Sequence, residues 1–170
     1  MGPIEPDAGR PIGVEEFKAV MRRFAASVSV ITTSDGNRIN GMTATAVCSV
    51  AADPPTLLII VNRQNRSHLM IDSSKVFAVN ILADDQHELA SHFASRPDDP
   101  FELVQHQIGR GGCPLISGAD ASLECIVSDQ FESGTHTIFI GKIVGTTVRC
   151  APPLLYHNGC YRRLDQGVAA

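Results

Sequence analysis

Three hydroxyl side chains share one face of a predicted strand in the first third of the chain. Residues 42–50 alternate in character, which predicts one long strand beginning near Ile39, because successive side chains of a strand point to opposite faces. One face carries Met42, Ala44, Ala46, Cys48 and Val50, and the other carries Thr43, Thr45, Val47 and Ser49. Hydroxyls in a row offer hydrogen-bond donors and acceptors to a polar, planar ligand. The same pattern is also typical of the solvated face of an ordinary sheet.

A candidate phosphate-binding segment follows further along the chain. Arg66 and Ser67 begin a short apolar segment, and residues 67–73 are predicted to form a short helix. A guanidinium and a helix N-terminus together suit a phosphate group, although Arg-Ser before a helix is also a common cap. A hydroxyl-bearing strand and a phosphate-binding helix start are together what flavin mononucleotide (FMN) would need.

The elements that must position these residues are mostly strands. Alternation and turn signals predict further strands over residues 28–33, 56–61, 76–82, 121–131, 135–148, 154–157 and 160–164. Helical periodicity predicts helices over residues 17–25, 67–73 and 86–95. Most connections are too short for the crossovers that join parallel strands. The predicted fold is therefore mainly β, an antiparallel Greek-key barrel with peripheral helices, built from one domain over residues 14–166 after a loose tail of residues 1–13.

Two of these elements have strong local signals. The apolar residues of the first helix recur at the spacing of one helix face, which predicts an amphipathic helix; they are Phe17, Val20, Met21, Phe24 and Ala25. Asn158-Gly159 predicts a tight hairpin between the last two strands.

The composition limits the classes of function. A chain of 170 residues with a net charge of −4 and no basic cluster is not expected to bind nucleic acid as its main partner. No apolar run approaches the length of a membrane span, and the N-terminus lacks the pattern of a signal peptide, so a cytoplasmic protein that does not enter a membrane is predicted. Five cysteines without a CxxC pair predict free, buried thiols rather than disulfides or a zinc site, with Cys48 as a small core residue.

Motifs of the common nucleotide-binding folds are missing from the sequence. The nearest approach to GxGxxG is Gly109-Arg-Gly111, which has Pro114 where the third glycine should stand. A nicotinamide dinucleotide, if the protein uses one, must therefore bind without a Rossmann domain.

Five segments stand in the order and spacing of one known family. They cover residues 17–33, 40–67, 77–82, 134–141 and 153–162, and the last two read Gly134-Thr-His-Thr-Ile-Phe-Ile-Gly141 and Pro153-Leu-Leu-Tyr-His-Asn-Gly-Cys-Tyr-Arg162. Over residues 14–164 the chain resembles the short-chain flavin reductases, the flavin reductase-like domain that supplies reduced flavin to two-component monooxygenases. The resemblance implies the split β-barrel that binds FMN.

The resemblance also implies a set of flavin-binding residues. The flavin ring and ribityl chain would lie against Thr43, Ala44, Thr45 and the backbone of Cys48, Ser49 and Val50. The phosphate would be held by Asn65, Arg66 and Ser67. Whether the flavin is FMN or FAD, and whether the hydride donor is NADH or NADPH, stays open at this stage.

A histidine matches the family's Gly-Asp-His-Thr motif. His136 would lie near the nicotinamide and is the candidate catalytic residue, although a strand-end histidine with a structural bond fits the pattern equally well. Thr135 replaces the motif's aspartate, which leaves the orientation of the imidazole open. A second departure is Pro100, which stands before Phe101 where the family commonly has a basic residue.

The function implied by the resemblance is an NAD(P)H-dependent flavin reductase. It would transfer hydride to FMN or FAD and supply the reduced flavin to a partner monooxygenase, and the family implies a homodimer. One alternative is an FMN-binding electron carrier without reductase turnover. Another is a split-barrel protein that binds haem or another planar ligand.

Overall fold

The computed structural model describes residues 11–164. Residues 1–10 of the predicted tail and residues 165–166 of the predicted domain lie outside this range. Within it, none of the helices is both long enough and apolar enough to cross a membrane.

Three helices and twelve strands make up the described chain. In order they are α1 (Val14–Met21), β1 (Ala26–Ser27), β2 (Ser29–Ser34), β3 (Ile39–Ala44), β4 (Val47–Ala52), β5 (Pro55–Asn62), α2 (Arg66–Ser74), β6 (Val76–Ile81), α3 (His87–Ala94), β7 (His106–Ile108), β8 (Pro114–Ile116), β9 (Ala121–Ser133), β10 (His136–Val148), β11 (Leu155–His157) and β12 (Cys160–Arg162). The predicted helices and most predicted strands are confirmed to within a few residues.

A seven-stranded antiparallel sheet forms the body of the molecule. Its strand order is β3-β2-β6-β9-β10-β5-β4. The two edge strands, β3 and β4, are consecutive in the chain and only Thr45 and Ala46 separate them. The sheet must therefore curve until its two edges meet at this two-residue link, which makes it a barrel that is split between its edges. The predicted mainly β, antiparallel barrel with peripheral helices is confirmed.

The long strand predicted through residues 42–50 is wrong. The chain pairs with β2 up to Ala44 and with β5 from Val47 onward, at opposite edges of the sheet. Changing partners breaks the strand, and the amide of Val47 donates to the carbonyl of Thr45 across the break at 3.1 Å. The alternation slips by one residue at this point, because Met42 and Ala44 are buried but the next side chain against the core is Val47.

The slip also overturns the prediction for Cys48. Its side chain is exposed on β4 rather than part of the core. The prediction of buried thiols holds for Cys113 and Cys125 and is wrong for Cys150 and Cys160, which are exposed. All five cysteines are unpaired, as predicted.

Two apolar clusters support the barrel. The first fills its interior and includes Ile31, Phe77 and Phe139. The second lies between the sheet and α3 and is centred on Phe93, whose ring packs edge-on against Phe101 with centroids 5.2 Å apart. Helix α3 is therefore packed firmly against β3, which fixes the position at which the following segment begins.

Helix α1 confirms the predicted amphipathic pattern, but its apolar face is not covered by the described chain. The exposed fraction is 52% for Phe17 and 59% for Val20, and Phe24, three residues after the helix ends, is 65% exposed. No residue of α1 is buried. The face is thus available to something other than residues 11–164 of the same chain.

Candidate functional site

A cavity of about 300 Å³ opens where the two edges of the sheet meet. Four separate parts of the chain form it: the β3–β4 link, the end of β5 with the start of α2, the end of α3, and the start of β10. Its lining residues are Met42, Thr43, Ala44, Thr45, Ala46, Ile60, Asn62, Asn65, Phe93, Ala94, Arg96 and His136. Five of the residues predicted from the sequence therefore meet in one place: Thr43, Ala44, Thr45, Asn65 and His136.

The hydroxyls predicted to form one row have three different environments. Thr43 donates its hydroxyl to the carbonyl of Ala90 at 2.6 Å, which ties α3 to β3. Thr45 is exposed in the cavity, and its hydroxyl has no hydrogen bond to any residue of 11–164. Ser49 lies on β4 outside the cavity. Only Thr45 therefore offers a free side-chain hydroxyl to a ligand in the cavity.

Cys48, Ser49 and Val50 do not line the cavity. They belong to β4, whose pairing with β5 shifts register between Ser49 and Ala51. All three side chains are exposed. Because β4 is an edge strand, its backbone groups on the side away from β5 are not paired within the sheet. The predicted contact of a flavin with this backbone stays a prediction.

His136 begins β10 and faces Asn62 of β5 across the ladder. Its Nδ1 atom lies 2.9 Å from the hydroxyl oxygen of Thr135. Thr135 thus provides the orienting contact that the sequence left open, with a hydroxyl in place of a carboxylate. The other ring nitrogen, Nε2, has no hydrogen bond to a described residue and is free to contact a ligand.

The polar groups at the start of α2 make most of their hydrogen bonds to other residues of the protein. The side chain of Asn65 caps the helix by accepting from the amide of Ser67 at 2.9 Å. Ser67 is fully buried, and its hydroxyl accepts from the side-chain amide of Asn40 at 3.0 Å. Of the three residues predicted to hold the phosphate, only Asn65 lines the cavity.

Arg66 points to the other side of this helix start. Its guanidinium donates to the carbonyls of Arg96, Pro97 and Asp98 at 3.0, 3.1 and 3.4 Å. It lines a neighbouring cavity of about 260 Å³ together with Arg38, Asn40, Leu69 and other residues. Direct contact of Arg66 with a phosphate in the first cavity stays a prediction.

Two polar residues of the cavity were missed by the sequence reasoning. Asn62 is the last residue of the apolar strand β5, and Arg96 follows the end of α3. In the sequence, Arg96-Pro97 is a helix-breaking pair, so the arginine carried no sign of a binding role. For Asn62, its position at the end of a buried apolar strand was the available signal.

Two further cavities continue from the first along the β3–β4 link. One of about 220 Å³ shares Thr43, Ala44, Thr45 and Ala94 with it and adds the rings of Tyr156 and Tyr161, whose centroids are 5.7 Å apart. The other, of about 370 Å³, reaches the exposed face of α1. The three cavities share residues of the β3–β4 link and together form one groove.

The donor set of the cavity fits a planar ligand with carbonyls, ring nitrogens and a phosphate. Ala46, Ile60 and Ala94 supply accessible apolar surface, while two amides, a hydroxyl, an imidazole and a guanidinium supply polar contacts. The buried thiols are not part of this chemistry. Burial raises the pKa of both Cys113 and Cys125 to about 12, so neither provides a thiolate at neutral pH.

Comparison with known proteins finds one consistent group of relatives. The family described as "Flavin reductase like domain" matches residues 21–165. The FMN reductase (NADH) RutF of Stutzerimonas stutzeri is 34% identical over 151 residues, covering 88% of this chain and 87% of that protein. The reductase component of a 4-nitrophenol 4-monooxygenase/4-nitrocatechol 2-monooxygenase from Rhodococcus opacus is 33% identical over 158 residues, covering 92% and 84%.

A solved structure agrees with these sequence matches. The NADH:FAD oxidoreductase SgcE6 of Streptomyces globisporus C-1027, in complex with NAD and FAD fragments, superposes with a TM-score of 0.86 at 33% identity. The match covers 92% of this chain and 98% of that one.

Proposed function

The chain belongs to the flavin reductase-like domain family, and from that premise we propose that it is an NADH-dependent flavin reductase acting on FMN or FAD. The observation that carries the proposal is the cavity at the split of the barrel. It gathers Thr43, Ala44, Thr45, Asn65 and His136 from three separate segments. The two alternatives, an electron carrier and a haem-binding protein, receive no support from the relatives.

The residues of the cavity bind and align the two ligands. Bound FMN or FAD would supply N5 as the acceptor of a hydride from C4 of NADH, and the proton of the two-electron reduction would come from solvent. Thr45, the link backbone and Asn65 hold the flavin against the apolar surface of Ile60 and Ala94. The protein itself need not donate or accept a proton, because alignment of the reacting atoms supplies most of the rate.

His136 is assigned to the nicotinamide side of this arrangement. Its Nδ1 is fixed by Thr135, which leaves Nε2 to hydrogen-bond the carboxamide of the nicotinamide. The role is to orient the donor over the flavin. Cys48, Ser49 and Val50 are assigned to flavin contacts through the free backbone edge of β4.

The product is reduced flavin, and we propose that a partner monooxygenase uses it. The name of the Rhodococcus opacus relative describes a reductase component of such a system. The groove is open to solvent along its length, which suits a flavin that enters oxidised and leaves reduced. We also place the reaction in the cytoplasm, since all five cysteines are unpaired thiols.

The protein is further proposed to be a homodimer. Helix α1 carries an apolar face that residues 11–164 leave exposed, and the cavity of about 370 Å³ lies beside it at the end of the groove. A second copy of the chain would bury this face.

Oxidation of NADH by the purified protein tests the reductase activity. The absorbance of NADH is followed with and without added FMN, FAD or riboflavin. Turnover that depends on added flavin is expected, together with loss of flavin during purification. A tightly held yellow chromophore without turnover would instead support the electron carrier, and the absence of both would overturn the assignment to flavin chemistry.

A further inference from the structure

Three arginines lie near the start of α2, and the guanidinium groups of two of them are hydrogen-bonded to other residues of the chain. Arg63 donates to the carboxylate of Glu132 at 3.0 Å and to the carbonyl of Gly134 at 2.8 Å. Arg66 donates to three backbone carbonyls of residues 96–98. The guanidinium of Arg96 has no hydrogen bond or ion pair with any residue of 11–164, and Arg96 lines the 300 Å³ cavity.

Arg66 acts as a clamp on the segment that carries Arg96. Its Nη2 atom donates to the carbonyls of Arg96 and Pro97, and its Nη1 atom donates to the carbonyl of Asp98. The carboxylate of Asp98 adds an ion pair at 3.4 Å. Carbonyls from three consecutive residues therefore converge on one guanidinium, whose planar set of donors suits several acceptors at once.

The clamped segment has an unusual backbone. Arg96 has a φ of +57°, in the left-handed region that residues other than glycine rarely adopt. It follows Ser95, which caps α3 and is itself in a helical conformation. The left-handed residue reverses the chain direction after α3, and its carbonyl is held by Arg66. Strained residues of this kind persist where the surroundings hold them, and they are common at ligand sites.

We propose that Arg96 is the phosphate-binding cation of the site and that Arg66 is a positioning residue that acts through the backbone of residues 96–98. The proposal rests on the proposed function, since it assigns the anionic group of that site's ligands. A free guanidinium in the cavity that Asn65 also lines can bind a phosphate with two parallel hydrogen bonds. The phosphate belongs either to the flavin or to the nicotinamide dinucleotide.

Binding of FMN and riboflavin to Arg96→Ala tests the first source of phosphate. The two flavins differ only in the phosphate, so a phosphate contact affects one and not the other. The Kd of FMN should rise about tenfold to a hundredfold, the usual range for a hydrogen bond to a charged group. The Kd of riboflavin should not change. Flavin fluorescence titration measures both without any turnover.

Matched variants separate a specific contact from a general charge effect. Arg110→Ala removes one exposed arginine from the Gly109–Gly112 loop and should leave both flavin affinities unchanged. Arg96→Lys keeps the charge and should keep part of the selectivity for FMN over riboflavin. If Arg96→Ala fails to fold, Arg96→Lys and Arg96→Gln provide the same comparison.

The second source of phosphate is tested with the nicotinamide donor. If Arg96 binds the dinucleotide, Arg96→Ala should raise the KM for NADH and leave the KM for N-benzyl-1,4-dihydronicotinamide, which has no phosphate, unchanged. If neither the FMN-to-riboflavin ratio nor this donor ratio changes, the assignment of Arg96 is overturned. Turnover by the unaltered protein in the same assay keeps that failure distinct from failure of the proposed function.

The positioning role of Arg66 is tested by non-additivity. Arg66→Ala should reduce the preference for FMN over riboflavin in the unaltered background and have little further effect once Arg96 is alanine. If Arg66 bound the phosphate itself, its effect would persist in the Arg96→Ala background. Arg66→Lys should resemble Arg66→Ala, because one ammonium group cannot reproduce the planar fork that holds three carbonyls.

Discussion

Thr43 and Thr45 have different roles because their hydroxyl groups have different surroundings. Thr43 and Thr45 lie on the same predicted strand face, yet Thr43 bonds the carbonyl of Ala90 while Thr45 is free in the cavity. The same side chain is therefore structural at one position and available for binding at the next. Substituting each by valine, which keeps the shape and removes the hydroxyl, separates the two roles.

Thr45→Val should weaken flavin binding by about 0.5–1.5 kcal/mol, the net contribution of one hydrogen bond, and leave thermal stability unchanged. Thr43→Val should lower the free energy of unfolding by about 1–3 kcal/mol, because the carbonyl of Ala90 loses its hydroxyl donor. Fluorescence titration measures the first effect and denaturant unfolding measures the second. Equal effects of both variants on flavin affinity would contradict the separation of roles.

The pair Thr135 and His136 carries a second residue-level prediction. Thr135→Val removes the contact to Nδ1 and should lower kcat/KM for NADH about threefold to tenfold, the cost of one lost hydrogen bond. His136→Ala removes the contact to the donor as well and should cost more, because the donor is then less well aligned. Steady-state rates at saturating flavin measure both. Rates equal to those of the unaltered protein would place His136 outside the reaction.

At the scale of elements, the position of α3 depends on a glycine. A Cβ atom on Gly41 of β3 would lie 2.6 Å from an edge carbon of the Phe93 ring, closer than packed atoms come. Gly41→Ala should therefore displace α3 and lower the free energy of unfolding by about 1–3 kcal/mol. Gly111→Ala is the control, since its added Cβ would meet its nearest neighbour at an ordinary 3.5 Å. Chemical denaturation of the two variants measures the difference, and equal stabilities would show that the ring of Phe93 moves aside without cost.

The elements also show what could be predicted from the sequence. The hairpin at Asn158-Gly159 was predictable because both turn residues adopt positive φ, a local requirement with a local signal. The break at Thr45-Ala46 was not, because it arises from two pairing partners, β2 and β5, that lie on different sides of it in the chain. Continuous β-forming residues on either side gave no sign of the exchange.

In the candidate site, too, residues with a local sequence signal were predictable and residues that depend on tertiary contacts were not. Thr45, Asn65 and His136, which line the cavity, were predicted because they stand in or beside recognisable motifs of the chain. Arg96 was missed because its role depends on the contact with Arg66, which exists only after α2 and α3 have docked on the sheet. Residues joined by tertiary contacts carry no pattern at the spacing that separates them in the sequence.

At the scale of the whole molecule, residues 11–164 leave the apolar face of α1 exposed. Its apolar residues include Phe17 and Val20, and Phe24, three residues after the helix ends, lines the same cavity as Phe17; each of the three is more than half exposed. A monomer would keep this surface in water at a cost of about 25 cal/mol per Å² of apolar area. The face also borders the groove that leads to the cavity, so whatever covers it comes near the site.

If a second copy of the chain covers this face, the protein is a dimer in solution. Light scattering after size exclusion should give twice the mass of one chain for the unaltered protein. Phe24→Asp places a charge in the exposed apolar patch that a second copy would bury and should shift the protein toward the monomer, with weaker flavin binding if the groove is completed by the partner. Leu103→Asp is the control, because Leu103 is 91% exposed and apolar but lies in the segment between α3 and β7. A monomeric unaltered protein, or a dimer that survives Phe24→Asp, would mean that α1 is covered by something other than a second copy.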